Sequence, residues 1–480
     1  MHGTGILSFG AYLPRLRLER AAIAEATGWA TGFRGGKTVG CRSYCAWDED
    51  SLTMAVEAAR DCLAGRDRSL VASLAFASTS HPFADRCNAG VVAEALDLPE
   101  ALRTADCAGH QRAGVGNLLE AMRASRADGR QNLLVAADQR KTRAGSEQES
   151  RFGHGAAAVL VGTGPALAAA YVSEASIRAD FVDHYRDSAA DHDYAYEERW
   201  IRDEGYLALV PRAIKDALGS IGPHEVRHLV VQGPHRFATA VAKAAGILAE
   251  AVPADLHAEC GDTGVAHPLL LLGAALERAE AGELIVVAGF GQGCDVAVLN
   301  ATGRTPSPGL GCSGALAAGV SNREYLRFLS NSGLVDFDWG IRAERDNRTA
   351  QPAAWRRHRD VTAFFGGKCR QCGTVQFPRA RACVNPECRA FDTQDPLQLA
   401  ETTGRVKTFT EDWLAVTRSP PHVYGNVELD GGGNVFIEFA DVRPGEIGVG
   451  SPVRFAFRIK DYDAVRGFRR YFWKAVPVRT

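Results

Sequence analysis

Short apolar runs alternate with amphipathic stretches up to about residue 300 of the 480-residue chain. Leu133–Ala137, Ala157–Val161, Leu229–Val231 and Leu284–Ala288 are unbroken and strand-length, the signature of strands buried on both faces. Between them, Asn117–Ser125, Leu207–Leu218 and Pro268–Ala281 space their apolar residues as helices do. This alternation predicts an α/β architecture. It also occurs twice, each half holding a strand, a helix and a Gly-rich strand pair, Phe152–Ala156 in one and Gly289–Gly293 in the other. The expected halves are 1–165 and 166–302.

Beyond residue 302 the texture changes. Residues 303–354, with Thr305-Pro306-Ser307-Pro308-Gly309 near the start and Asp346-Asn347-Arg348-Thr349 near the end, read as a linker with short helices. From 355 to 480 aromatic and β-branched alternation dominates, as in Val453–Arg458, and a small β domain is expected. That tail carries a net charge of +6, which leaves −8 for the rest, since the whole chain stands at −2. So balanced a total gives no general attraction to nucleic acid or to an anionic membrane. No leader-like segment and no apolar run of about 20 residues is seen, so a cytoplasmic protein without a membrane partner is expected. The 12 cysteines are then read as thiols, metal ligands or nucleophiles.

Four of them are Cys369-x2-Cys372 and Cys383-x4-Cys388, two close pairs about ten residues apart. Such pairs place four thiolates on two facing turns, which suits a tetrahedral, structural Zn2+ with no open position. Cys107 follows a predicted strand and precedes a helix expected from about Arg112. At a helix N-terminus its thiolate would be stabilised and its pKa would fall, making it a nucleophile; the alternative is a buried core cysteine. His267, in a Gly-rich loop before Pro268, is a candidate base, or else a capping residue. His235, after Gln232-Gly233-Pro234, has the same standing. Gly289-x-Gly291-x-Gly293 lacks the acidic residue of a dinucleotide fingerprint and reads as a turn whose N–H groups, with Gly291 central, face a substrate oxyanion. Asn347-Arg348-Thr349 matches a glycosylation acceptor, without meaning in a cytoplasmic chain.

Ala105-Asp106-Cys107-Ala108-Gly109, preceded by Val92–Leu96, resembles the nucleophile region of hydroxymethylglutaryl-CoA synthases in the thiolase superfamily. Gly10–Pro14, Asp183–Arg186 with Arg199-Trp200, and Tyr325–Phe328 are similar to other segments of that family. The tail, from Cys369 through Gly404–Val406 and Val427–Leu429, resembles the zinc-ribbon and OB-fold module that accompanies such enzymes. The resemblance implies a thiolase-like fold and an acyltransferase that makes or breaks a carbon–carbon bond on acyl-CoA through an acyl-cysteine at Cys107. It also implies a homodimer, and a thiolase or carrier protein as partner. The pattern departs from the family in two places: Thr79 stands where the family's acid falls, and Gln232 where its histidine falls, while Ala266-His267-Pro268 looks like a thiolase motif. His267 is therefore expected to carry the proton, in a neutral form, with His235 as the displaced alternative. The competing readings are a retro-aldol lyase without an acyl-enzyme, and a scaffold or nucleic-acid binder using the basic tail with Phe468, Tyr471, Phe472 and Trp473.

Overall fold

The apolar runs become inner strands of one nine-stranded sheet. The computed structural model describes residues 3–31, 39–304, 309–339 and 350–479. The Asn347–Thr349 tripeptide and residues 305–308 lie outside them. The chain divides into two units, one of residues 1–46, 50–93 and 98–334, the other of 47–49, 94–97 and 335–480.

Across the first unit's sheet the strands run Val226–Val231, Leu284–Phe290, Gly293–Ala301, Ala169–Arg178, Thr4–Tyr12, Gly155–Thr163, Gln131–Asp138, Val71–Ala77 and Arg103–Cys107. The pairings are mirrored about the central antiparallel pair, Thr4–Tyr12 with Ala169–Arg178. On each side come two antiparallel pairings and then a parallel one. The repeat read from the sequence is thus an architectural one: two equivalent βα halves joined at their first strands. The first half adds Arg103–Cys107, parallel to Val71–Ala77, as an edge.

Helix Ala113–Asp128 follows that edge and ends at Gly129 in a left-handed cap. Helix His267–Leu276 has all ten residues buried, because its Leu and Ala side chains fill the core on every side. It stops five residues before Ala281: the apolar run gives way to Glu277-Arg278, and the chain turns at Gly282, φ +90°. Among the described residues no helix is long and apolar enough to cross a membrane.

In the second unit Phe365–Cys369 pairs with Val375–Gln376 and Gln394–Gln398. A five-stranded antiparallel sheet follows in the order Asn434–Glu438, His422–Leu429, Thr403–Asp412, Pro452–Asp463, Phe468–Pro477. Its core is aromatic: Phe364, Phe455, Phe457 and Trp473 are fully buried. Tyr471 and Lys474 of the basic aromatic run are buried as well, so that part of the run does not offer a stacking face.

Candidate active site and metal centre

In a parallel sheet the carboxyl ends of strands deliver loops to one edge, where ligands bind. Thr79, Cys107 and Asp138 sit at or just past the ends of the three parallel strands of the first half, and Gln232 and Gly291 just past the corresponding ends in the second.

Cys107 is the last residue of its strand and its carbonyl accepts the Ser78 N–H at 3.0 Å. The side chain is half-buried against the core. Its thiol pKa is raised, which overturns the lowering expected from a helix N-terminus. Burial is the main cause, the nearby Asn117 amide works against it, and the Asp106 charge adds to it. The helix begins only at Ala113, six residues on, and the helix-end field is confined to about one turn. Cys107 is thus a neutral thiol at rest.

Asp138 organises the floor beside it. Fully buried, its Oδ1 accepts from Ser78 Oγ (3.1 Å), Thr79 N (2.7 Å) and Ser80 Oγ (3.0 Å), and its Oδ2 from Thr79 Oγ1 (3.0 Å) and Val265 N (3.0 Å). A buried carboxylate is tolerable only when so many donors replace its water. The same contact fixes Gly264: at φ +65°, an added Cβ would lie 2.2 Å from Asp138 Oδ2, so only glycine fits.

Around this floor are neutral amides. Gln111 Nε2 donates to Thr79 Oγ1 (3.4 Å), and Gln232 Nε2 to Gly264 O (3.4 Å). Gln111 Oε1, Gln232 Oε1 and His110 Nδ1 are buried without a hydrogen-bond partner. The Gly291 N–H, expected to face an oxyanion, instead donates to Gly293 O at 3.1 Å, closing the hairpin turn. What Gly291 (φ +154°) supplies is close approach, since a Cβ there would meet Gln111 N at 3.1 Å. Arg112 clamps the turn by donating to Gly291 O (3.0 Å) while paired with Asp295 at 2.6 Å.

His267 begins its helix fully buried. Its Nε2 donates to Asp255 O (2.9 Å), and Nδ1 takes the Thr263 hydroxyl (3.3 Å) or amide (3.4 Å). Burial, and then the neighbouring His257, lower its pKa to about 4, so the neutral form expected from the sequence is found, with burial rather than the helix end as chief cause. Both nitrogens are engaged within its own loop. His235 is exposed at the start of helix His235–Ala245, its N–H on Asp255 Oδ2 at 2.8 Å and its Nδ1 beside Thr239. Asp255 therefore ties down both histidines, and neither ring is hydrogen-bonded to the Thr79–Asp138–Gln111 cluster.

In the second unit the sulfurs of Cys369, Cys372, Cys383 and Cys388 all lie within 4.8 Å of one another, with Cys369–Cys388 at 3.9 Å and Cys372–Cys383 at 3.5 Å. A tetrahedral zinc with ~2.3 Å Zn–S bonds needs sulfurs about 3.8 Å apart. The four cysteines fit that ion and fill its coordination.

Sequence reasoning missed Asp138 and Gln111. The available signal was a lone carboxylate closing an otherwise apolar strand, Leu133–Ala137 then Asp138.

The fold is that of thiolase-like condensing enzymes. It is similar to the 3-oxoacyl-(acyl carrier protein) synthase III of Pseudomonas aeruginosa PAO1 (TM-score 0.54, 23% identity, 63% of this chain and 99% of that one). It is similar also to a hydroxymethylglutaryl-CoA synthase solved with CoA (TM-score 0.58, 16% identity, 72% and 95%). In sequence, hydroxymethylglutaryl-CoA synthases of Methanocella arvoryzae and Aeropyrum pernix are each 30% identical, over 296 and 300 residues. Each match takes in 60% of this chain and 85% or 82% of the relative. The chain belongs to the hydroxymethylglutaryl-CoA synthase family, and so to the acyltransferase enzymes. Its tail matches the ChsH2 rubredoxin-like zinc ribbon domain at 359–394 and the ChsH2 C-terminal OB-fold domain at 398–458.

Proposed function

We propose that the chain condenses, or cleaves, carbon–carbon bonds of acyl-CoA thioesters through an acyl group carried on Cys107. One observation carries this reading: Cys107 ends a strand at the sheet's carboxyl edge, in a neighbourhood where Gln111 Oε1, Gln232 Oε1 and His110 Nδ1 are buried without partners. Buried polar atoms are normally paired, so a site that leaves three open is arranged to pair them with a substrate.

In the first step the Cys107 sulfur attacks the thioester carbonyl, the carbonyl–sulfur bond to CoA breaks, and the thiol proton passes to the departing CoA sulfur. Because the thiol is neutral at rest, proton loss accompanies attack. Thr79 and Gln232 do not titrate near neutrality, so they serve as hydrogen-bonding groups, and His267 is left as the proton carrier for the carbon–carbon step. To act, its ring must give up the Asp255 or the Thr263 contact; its second role is to hold the Thr263-Gly264 turn whose carbonyl positions Gln232. Zinc in the tail is structural. A homodimer belongs to the reading, supported by the Arg103–Cys107 strand lying at the sheet's edge.

Release of free CoA on mixing with excess acyl-CoA tests the reading. A burst of one equivalent per chain, absent in Cys107→Ala, is expected. Steady cleavage products with no burst would replace the acyl-enzyme by a retro-aldol lyase.

A further inference from the structure

The segment Val182–Trp200 forms a structure the mechanism above leaves unused. His184–Tyr185 and Tyr194–Ala195 make a short antiparallel hairpin. Two arginines moor it beside the active site. Arg186 donates to Thr79 O and to Asp193 Oδ1 (2.7 Å), and the buried Arg140 donates to Asp193 Oδ2 (2.8 Å). Under the hairpin is an open cavity of about 500 Å³, whose walls include Asp183, Tyr185, Tyr194, Tyr196 and Trp200.

Three features of this cavity point to a ligand. Tyr185, Tyr194 and Tyr196 are 52%, 56% and 57% exposed, an unusual concentration of uncovered rings around one hollow. Asp183 Oδ2 is held by His184 Nδ1 at 2.6 Å, whereas Asp183 Oδ1 is buried with no partner. Trp200 stacks on Phe181 (4.2 Å), and Phe181 meets Phe290 at 6.1 Å, immediately before Gly291. That ring series leads from the cavity to the turn that abuts Gln111. The six residues after Trp200, Ile201–Tyr206, are π-helical, a widened turn frequent at functional sites.

We propose that this cavity receives the acyl group of the thioester, and that the acyl group is bulky, ring-containing and bears a hydroxyl that donates to Asp183 Oδ1. The inference rests on the acyl-CoA reading above. The volume is that of a pocket for a drug-sized ligand, and a two-carbon acyl group would leave most of it empty. Flat aromatic walls favour a ring, and an unpaired carboxylate oxygen demands a donor.

The test uses the full chain and CoA thioethers, which bind but cannot acylate Cys107: 3-(4-hydroxyphenyl)propyl-CoA, 3-phenylpropyl-CoA, ethyl-CoA and CoA itself, each titrated by calorimetry. The hydroxyaryl probe is expected to bind at least about tenfold more tightly than the ethyl probe. Asp183→Asn should remove its advantage over the phenyl probe, and Tyr196→Ala should weaken both ring probes without changing ethyl-CoA. Equal affinity for ring and ethyl probes, or a ring advantage that survives both substitutions, overturns the proposal. So does a loss of CoA affinity itself in either variant, which would assign the cavity to the CoA arm. Because no acyl transfer occurs with these probes, failure here is distinct from failure of the Cys107 burst.

Discussion

Replacing Asp138 by Asn removes one charge and almost no volume, yet the geometry makes it costly. Each carboxylate oxygen receives a backbone N–H, Thr79 N on Oδ1 and Val265 N on Oδ2. Whichever way the new amide turns, its NH2 faces one of those donors, and neither can reverse. The hydroxyls of Ser78, Thr79 and Ser80 can rotate to adapt. One orphaned buried donor, with the loss of charge-assisted bonds, costs about 2–4 kcal/mol. For a unit this large that corresponds to roughly 3–6 °C in melting temperature. Scanning calorimetry of the full chain should show the transition of the larger unit moving down by that amount, with bound zinc unchanged. A melting temperature within about 1 °C of wild type would refute the claim that Asp138 ties Thr79 to the Val265 loop.

Acid should weaken the fold for a related reason. His267, held near 4 in the folded chain against about 6.5 when unfolded, lets the unfolded state bind the proton first. Stability is therefore full above about pH 6.5 and falls by about 3 kcal/mol as the pH drops towards 4. Urea midpoints should decline over that range and decline less in His267→Asn; a flat wild-type profile would contradict the assignment. The buried His154, lowered to about 3 by desolvation and Arg42, makes the same kind of contribution. Iodoacetamide labelling of the Cys107 peptide should rise only above the usual thiol range, about pH 9, and a midpoint near 7 would mean a thiolate at rest. Cys369→Ser should take bound zinc from about one per chain to near zero and expose the tail to protease, leaving the first unit resistant.

Local signals were readable and long-range ones were not. The zinc quartet depends on cysteine spacing along about twenty residues, so the sequence showed it directly. The buried strands were visible as apolar runs, and the doubled pattern surfaced as the mirrored sheet. Cys107 does end a strand before a helix, as its neighbours indicated, but its thiol was misjudged, because the distance to the first helical turn is set by the loop through Gly109 and Gln111. Asp138 gathers residues from 78 to 265, and no spacing rule joins them. The Gly291 turn looked like an open set of N–H donors until its own hairpin bond to Gly293 appeared. In the tail, alternation hid which aromatic residues faced inward; burial of Tyr471 and Trp473 decided it.

An acyl group carried on Cys107 is the step on which the proposed chemistry depends. Acid-quenching the full chain seconds after mixing with a ring-bearing acyl-CoA, then weighing its peptides, tests that directly. The predicted result is one acyl mass on the Cys107 peptide, lost in Cys107→Ala and untouched on the cysteines of the tail. An unmodified Cys107 peptide while products accumulate, or an acyl mass persisting in Cys107→Ala, would contradict the account.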